Sequence, residues 1–300
     1  METVSKLHIP VLLKESIDGL QLKPGAKVFD GTVGLGGHSE AICKAVGSTG
    51  LLIGTDADAE SLALAEKRLE SYPCKKIFVC DNFRNIEYVL TSAGVTSIDA
   101  IILDIGLSSR QLDITPRGFS FLRNEPLLMT FRVGGDGLTA REIVNEWAEE
   151  SLADIIYGYG EEHAARRIAH AIVEARKSKP IETSSELAAI IKQGVPAPMR
   201  FSRIHPATKT FQALRIAVND ELGSLREGLE KGFALLSPKG RMAVITFHSL
   251  EDRIVKDFFR QRTKEGFAEL LNKKPIVANE EELMNNPRSR SAKLRIIIKN

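Results

Sequence analysis

The segment from Val28 to Ile42, VFDGTVGLGGHSEAI, constrains the fold of this 300-residue chain more than any other. Its first residues are typical of the end of a buried strand, four glycines follow within seven positions, and a helix is predicted to begin near Ser39. Glycines in such a turn can adopt positive φ and bring the backbone close to a ligand. The helix behind them offers unpaired N–H groups. The segment therefore predicts a strand, a glycine loop and a helix that bind a nucleotide-type cofactor.

The spacing of the glycines distinguishes between cofactors. The dinucleotide fingerprint requires G-x-G-x-x-G, which the sequence after Gly31 does not provide. It provides D-x-x-x-G-x-G instead, from Asp30 through Gly34 to Gly36, with Gly37 next. A carboxylate at the strand end suits a cationic ammonium group better than a pyrophosphate, and this favours S-adenosylmethionine over a nicotinamide dinucleotide. A purely structural turn between strand and helix is the alternative at this point.

An aspartate stands at the end of each of three further predicted strands. Asp56 follows LLIGT, Asp81 follows KKIFVC, and Asp104 follows IDAIIL. The carboxyl ends of parallel strands meet at one edge of an open α/β sheet, where its ligands bind. The sequence therefore predicts that these three acids and Asp30 surround one site.

Two of these strand ends suggest particular contacts. Asp56 lies twenty residues beyond Gly36, a position suited to ribose hydroxyls. Capping of the next helix is the alternative for Asp56, and Asp58 could also fill that role. Asp81 and the nearby Phe83 suit an adenine, since one offers an acceptor for the exocyclic amine and the other an aromatic face.

Composition bounds the remaining possibilities. The chain is 43% apolar and 27% charged, as in ordinary soluble globular proteins. Its net charge is only +2, so a nucleic-acid surface has to come from local clustering. Cys43, Cys74 and Cys80 lack zinc-site spacing and predict reduced, buried thiols, and no metal is predicted. With no signal peptide and no long apolar run, we expect a soluble, cytoplasmic protein.

The αβ pattern is interrupted once. Residues 1–112 and 207–300 predict one α/β domain with a mostly parallel sheet, whereas 113–206 predict an irregular loop followed by an inserted all-helical domain. Within the insertion, Thr183 and Glu186 predict a capping box. In the string HSLEDR, Ser249 and Asp252 predict a second reciprocal cap.

Two basic clusters are candidates for RNA contacts. Neither 195–215 nor 286–300 contains an acidic residue. A solvated surface is the ordinary explanation of such runs, and salt-dependent phosphate contacts are the other. The charges alone support an RNA substrate and a small-molecule substrate about equally. The residues singled out are Arg200, Arg203, Lys209, Arg215, Arg288 and Arg290.

Several long strings resemble a known family. HIPVLLKE, DGTVGLGGHSEAI, DIGLSSRQLD, RGFSF, HPATKTFQALRIAVNDEL, FHSLEDRIVK and NPRSRSAKLR closely resemble bacterial 16S rRNA (cytosine-N4)-methyltransferases, which modify a cytosine exocyclic amine in the decoding region of small-subunit ribosomal RNA. The resemblance runs from about His8 to Arg295. It implies a class I S-adenosylmethionine-dependent methyltransferase domain, of Rossmann-like fold, with an inserted helical domain that recognises substrate. The implied partner is small-subunit rRNA or the 30S particle. The oligomeric state, including a homodimer, is left open.

The resemblance also assigns site residues. It places the S-adenosylmethionine contacts on Gly36, Gly37, His38, Asp56, Phe83, Asp104 and Gln111, of which His38 and Gln111 rest on the resemblance alone. Many exocyclic-amine methyltransferases carry an Asn/Asp-Pro-Pro-aromatic motif after the fourth strand. Here that place is taken by 104–109, so Asp104, Ser108 and Ser109 are the candidates for holding the target amine in line with the methyl group.

One segment departs from the family. After RGFSF the family typically reads P-L-D-M-R-M-D. Here Leu128 and Arg132 stand at the two acidic positions, and Thr130 stands at the position of the arginine. This departure motivates a second hypothesis, an RNA-binding ribosome-assembly factor that keeps the cofactor pocket but has weak or no catalysis. A nicotinamide-dependent oxidoreductase is a third, which the glycine spacing disfavours.

Overall fold

The computed structural model describes residues 9–107, 110, 112, 115–132, 137–202 and 204–300. The predicted site residues Ser108, Ser109, Gln111 and Arg203 lie outside these ranges. The chain divides into two compact units, one of Met1–Ser108 with Leu222–Asn300 and one of Ser109–Glu221. The second unit therefore extends beyond the predicted insertion, 113–206. The reason is that helix α9 (Ala207–Asn219), predicted to lie in the α/β domain, packs against α6 (Glu149–Gly160) of the second unit.

The first unit holds a seven-stranded sheet. Its strands are β1 (Lys27–Asp30), β2 (Leu51–Asp56), β3 (Lys75–Cys80), β4 (Ile98–Asp104), β5 (Leu236–Thr246), β6 (Ala268–Leu270) and β7 (Lys293–Lys299). Their order is β3-β2-β1-β4-β5-β7-β6. The first five strands in this order are parallel, and β7 is antiparallel to both β5 and β6. The predicted Rossmann-like, mostly parallel sheet is confirmed.

Alternation along the strands creates two buried faces. Phe29, Ile101 and Leu103 belong to one hydrophobic cluster, and Val28 and Ile102 belong to the other. Because successive residues of a strand point to opposite faces, strands buried on both sides read as continuous apolar runs. The helices on the two faces are α1 (Leu13–Leu20), α2 (Gly37–Val46), α3 (Ala59–Leu69), α4 (Ile86–Ser92), α10 (Glu221–Leu235) and α11 (Ser249–Lys264), and α12 (Glu280–Asn285) follows near the C-terminus.

The structure differs from the sequence prediction at two local points. The sequence of residues 237–240, SPKG, predicts a turn, but the segment is part of β5, where the register shifts against β4 and Lys239 adopts a φ of 64°. The cap of α11 is one residue earlier than predicted, at His248 with Glu251 rather than at Ser249 with Asp252. Strand β6 and helix α12 were not predicted.

The second unit is helical after an irregular start. Its helices are α5 (Ala140–Glu146), α6, α7 (Ala165–Arg176), α8 (Ser184–Gly194) and α9. Thr139 and Thr183 each begin a helix with a capping box, and the box of Thr183 with Glu186 confirms the prediction. Among the described residues, no helix of either unit is long and apolar enough to cross a membrane.

A buried ion pair lies at the end of α9. Arg215 donates two hydrogen bonds to Glu221, from Nε at 2.7 Å and from a terminal nitrogen at 2.9 Å. The side chains are 15% and 5% exposed. Such a bidentate pair stabilises the turn that follows α9, where Asp220 has a φ of 46°.

We expect Arg215→Met to lower the free energy of unfolding by about 2–4 kcal/mol, because it removes two short hydrogen bonds from a cation to the nearly buried Glu221 carboxylate. The double variant Arg215→Met/Glu221→Gln should recover most of the loss. The exposed bidentate pair of Arg141 and Glu182 is a matched control, and Arg141→Met should cost much less. Urea denaturation of the four proteins measures this. Equal costs at the two pairs would contradict the structural role of Arg215.

Candidate active site

The acidic strand ends meet at one edge of the sheet. Asp30, Asp56 and Asp104 are the last residues of β1, β2 and β4, and Asp81 follows β3 directly. In the parallel register, Asp30 lies beside Gly54 of β2 and Ile102 of β4, so Asp56 and Asp104 flank it two residues further on. Strand β1 is also where the order of the strands reverses. Open α/β sheets bind their ligands at the carboxyl ends of the strands beside such a reversal.

The glycine loop allows close approach to this edge. Gly34 and Gly36 have φ values of 53° and 80°, a region that favours glycine. A Cβ on Gly36 would lie 3.2 Å from the Cβ of Ala65, and one on Gly37 would lie 2.2 Å from Cγ of Pro10. Gly36 is the N-cap of α2 and supplies no side chain to its first amides. The loop therefore brings the N-terminus of α2, with its N–H groups, to the site.

Asp30 ties the loop to the helix. Its carboxylate is 1% exposed and accepts hydrogen bonds from Ser39 Oγ at 2.6 Å and from the Thr32 amide at 3.1 Å. Burial raises the pKa of Asp30 to about 6, although these two bonds act in the opposite direction. Asp30 thus holds the first turn of α2 against the end of β1.

Asp56 ties the loop to the neighbouring strand. It accepts hydrogen bonds from the Gly34 amide at 2.7 Å and from the Asp58 amide at 2.8 Å, and burial raises its pKa to about 6. Asp58, not Asp56, caps α3, accepting from the amides of Glu60 and Ser61. Each oxygen of Asp56 can accept a further hydrogen bond. The geometry is thus compatible with the predicted ribose contact.

Asp81 and Phe83 lie beyond β3. Asp81 accepts from the Asn82 amide at 2.7 Å and from Asn85 Nδ2 at 2.9 Å. The Phe83 ring is partly buried against Gly228 of α10, where an added Cβ would lie 2.5 Å from the ring. A residue with a side chain at position 228 would therefore clash with the Phe83 ring.

Asp104 has the most unusual environment of the four. Its amide donates to Thr32 Oγ1 at 2.7 Å, and its Oδ2 lies 3.6 Å from Nδ1 of the buried His38. Nε2 of His38 lies 3.1 Å from the carbonyl oxygen of Val11. Among the described residues, Oδ1 of Asp104 is buried without a hydrogen-bond partner. Burial, followed by the charges of Asp30 and Glu251, raises the pKa of Asp104 to about 7.

Glu251, whose charge acts on Asp104, is a residue of the site that the sequence prediction missed. The Glu251 side chain is 1% exposed, and its Oε2 accepts from the amides of Phe247 and His248. Its Oε1 lies 2.9 Å from Nε2 of His248 but is not aligned for a hydrogen bond, so neither atom has a partner in the described part of the chain. The string FHSLEDR was the available signal in the sequence. Its two acids, Glu251 and Asp252, both suit the first turn of a helix, so the string alone does not show which of them faces the site. Asp252 instead pairs with Arg295 at 2.7 Å and Lys293 at 3.3 Å.

The residues predicted to bind RNA fall into three groups. Arg200 donates to the carbonyls of Gln193 and Val195, and Lys209 donates to the carbonyl of Glu161. Arg215 is engaged with Glu221, as described above. Arg288 and Arg290 are exposed on a 3₁₀ turn, Pro287–Ser291. Within the described residues, no group of three or more His, Cys, Asp or Glu is arranged to hold a metal ion.

The sequence matches the MraW methylase family over residues 5–300. This protein belongs to the MraW methylase family. Relatives named ribosomal RNA small subunit methyltransferase H include those of Paenibacillus sp. (strain JDR-2), 46% identical over 96% of this chain and 98% of the relative, and of Heliobacterium mobile, 45% identical over 96% and 97%. That of Clostridioides difficile is 43% identical over 96% and 97%.

Solved structures give a weaker likeness. An rRNA methylase from Streptococcus thermophilus is 11% identical, with 97% of this chain and 98% of that one covered and a TM-score of 0.46. An S-adenosylmethionine-dependent O-methyltransferase from Thermotoga maritima is 11% identical, with 96% and 64% covered and a TM-score of 0.41. Likenesses of this degree carry no functional information. Membership of the family confirms the predicted class I methyltransferase fold and reaction class, and S-adenosylmethionine as the cofactor.

The raised pKa of Asp104 predicts a pH dependence of stability. Its folded value, about 7, lies above the unfolded value near 4, so the folded state binds more protons between these limits. The stabilising contribution is complete below about pH 4 and is lost as pH rises through 7. Without cofactor, Asp104→Asn should therefore be more stable than the wild type at pH 8, by on the order of 2 kcal/mol, and not at pH 4.

Denaturant unfolding at several pH values measures this difference. Asp99→Asn is the matched control, since Asp99 is an exposed acid near the opposite end of β4. An unchanged slope in Asp104→Asn would show that Asp104 ionises normally.

Proposed function

We propose that this protein transfers a methyl group from S-adenosylmethionine to the exocyclic N4 amine of a cytosine in the decoding region of small-subunit ribosomal RNA. The names of the relatives support small-subunit rRNA as the substrate. The cytosine N4 specificity and the decoding region rest on the motif resemblance. The observation that carries the catalytic part is Oδ1 of Asp104, which is buried at the reversal of the strand order and has no hydrogen-bond partner among the residues that the structure describes. The cytoplasm is the compartment that this substrate implies.

The residues at the sheet edge fit the cofactor. The N-terminus of α2 lacks a side-chain cap and suits a carboxylate, while the acidic strand ends suit the ammonium and sulfonium charges. Asp56 has acceptor capacity for ribose hydroxyls, and Asp81 with Phe83 lies where the adenine is expected. Gly34, Gly36, Gly37, His38 and Gln111 complete the proposed cofactor set. When bound, S-adenosylmethionine supplies an electrophilic methyl group.

The residues of the chain have to orient the amine. The lone pair of a cytosine amine is conjugated with the ring, so a hydrogen-bond acceptor on an amine hydrogen is needed to turn it toward the methyl group. Oδ1 of Asp104 is buried and has no partner in the described part of the chain, and it is such an acceptor. With a pKa of about 7, Asp104 is also suited to take up the proton that the amine loses. Ser108 and Ser109 remain proposed partners.

Surrounding groups set the basicity of Asp104. The negative charges of Asp30 and Glu251 both raise its pKa, and burial contributes more than either. Glu251 is itself fixed by the amides at the start of α11. We therefore assign Glu251 a positioning role, in which it holds negative charge close to Asp104 without contacting the substrate.

The assembly-factor hypothesis is the second candidate, and the altered segment 128–132 favours it. In the structure, Met129 is buried with a φ of 55°, its amide donates to Arg117 O, and its carbonyl accepts from Asn219. Phe131 stacks on Phe119 at 5.7 Å. The segment is therefore a packed part of the helical unit, for which we propose a role in RNA recognition. Tight RNA binding without methyl incorporation would support this candidate.

We expect Asp104→Ala to reduce methyl incorporation at least about 100-fold, because the acceptor that orients the amine is lost. Labelled S-adenosylmethionine with free small-subunit rRNA and with 30S particles measures the rate, and mass spectrometry of nucleosides identifies the product. Asp99→Ala, on the same strand, should leave the rate unchanged.

Circular dichroism and cofactor binding should accompany the rates, so that loss of fold or of cofactor affinity is separated from loss of chemistry. Full activity in Asp104→Ala would exclude Asp104 as the catalytic residue. Methylation of a different base or atom would exclude the proposed specificity.

A further inference from the structure

An aromatic side chain is held in the solvent on the helical unit. The Phe201 side chain is 85% exposed, although a phenylalanine ring is normally buried. It ends a 3₁₀ turn, Ala197–Phe201, that begins after Pro196. Arg200 fixes this turn by donating to the carbonyls of Gln193 and Val195 at the end of α8. The ring is therefore presented by an anchored turn and is not needed for the packing of the core.

Lys192 lies beside the Phe201 ring, and its charge also acts on His205, four residues after Phe201 in the chain. Nζ of Lys192 lies 5.9 Å from the centre of the Phe201 ring, within the range of a cation–π contact. His205 stacks on Phe121, with centres 4.5 Å apart and planes 17° apart, and Phe211 meets Phe121 edge-on. Burial, and to a lesser extent the charge of Lys192, lowers the pKa of His205. Ile204, 60% exposed, lies between these two aromatic positions in the chain.

Charge indicates what binds to this surface. From residue 187 to residue 219 the sequence contains no acidic residue, and Lys192 holds a positive charge beside the Phe201 ring. Exposed aromatic rings beside positive charges are the arrangement with which proteins bind single-stranded nucleic acid, since bases stack on the rings and the cations attract the phosphates. An apolar protein partner would explain the exposed ring but not the absence of acids.

We infer that Phe201, His205 and Lys192 form a stacking site for unpaired nucleobases of an RNA. The inference rests on the proposed RNA substrate and extends it to a defined surface of the helical unit. The site selects single-stranded over double-stranded RNA because only unpaired bases expose a face for stacking. It shows no preference among bases, since it lacks polar groups arranged to read base edges in the described residues.

The test is binding of a short fluorescent oligoribonucleotide to the full-length protein without methyl donor, once as a single strand and once in a duplex. Phe201→Ala and Phe201→Leu should each weaken single-strand binding about 5- to 100-fold, because both remove the aromatic face. Phe201→Trp should bind as tightly as the wild type. Tyr157→Ala, which removes another exposed ring of the same unit, should have no effect.

Three results would overturn the inference. One is unchanged single-strand binding in Phe201→Ala, and another is an equal loss for single strand and duplex. The third is a wild-type dimer in sedimentation that Phe201→Ala dissociates, since the ring would then face a second copy of the chain. Methyl incorporation is measured separately on the same proteins. Failure of methylation with the predicted binding pattern would contradict the proposed function alone.

Discussion

The concentration of buried carboxyl groups at one edge of the sheet is the constraint on which the rest of the structure depends. Asp30, Asp56 and Asp104 end adjacent parallel strands, and burial raises the pKa of each to about 6 or 7. Within the described residues no lysine or arginine pairs with them, so without ligand this edge is electrostatically unfavourable. Hydrogen bonds from the glycine loop and from the first turn of α2 to Asp30 and Asp56 partly offset this cost. A cationic ligand stabilises the same groups further, and this connects the fold of the chain to the cofactor it uses.

Much of this arrangement can be predicted from the sequence because local pattern and topology agree. Strands β1, β2 and β4 end in an aspartate and β3 is followed by one, and Gly34 and Gly36 occur where positive φ is required. Connections between parallel strands of one sheet are almost always right-handed, so few arrangements of these strands are possible. In those arrangements the carboxyl ends of the strands lie at one edge of the sheet. The capping box at Thr183 is predictable for the same reason, since both of its residues lie within one turn of the chain.

Features that depend on distant partners could not be predicted. The apolar residues of α9 repeat with a helical period whether the helix covers the sheet or packs in the helical unit. The sequence prediction therefore ended the helical unit at residue 206, whereas the structure ends it at residue 221. The basic residues show the same difficulty. Counting charges does not reveal that Arg215 is neutralised by Glu221, whereas Arg288 is exposed. The role of Glu251 was missed because its charge acts on Asp104 through space, across a gap in the sequence of more than one hundred residues.

The most direct measurement is calorimetric binding of S-adenosylmethionine and of its product S-adenosylhomocysteine, which lacks the sulfonium charge, from about pH 5.5 to 8. If ionised carboxylates at the sheet edge hold the sulfonium, the ratio of the two affinities should rise with pH as groups with pKa values near 6 and 7 lose their protons. The rise should be reduced in Asp104→Asn. A ratio that stays constant or falls over this range would contradict the account, because the buried carboxyl groups would then not distinguish the charged donor from its neutral product.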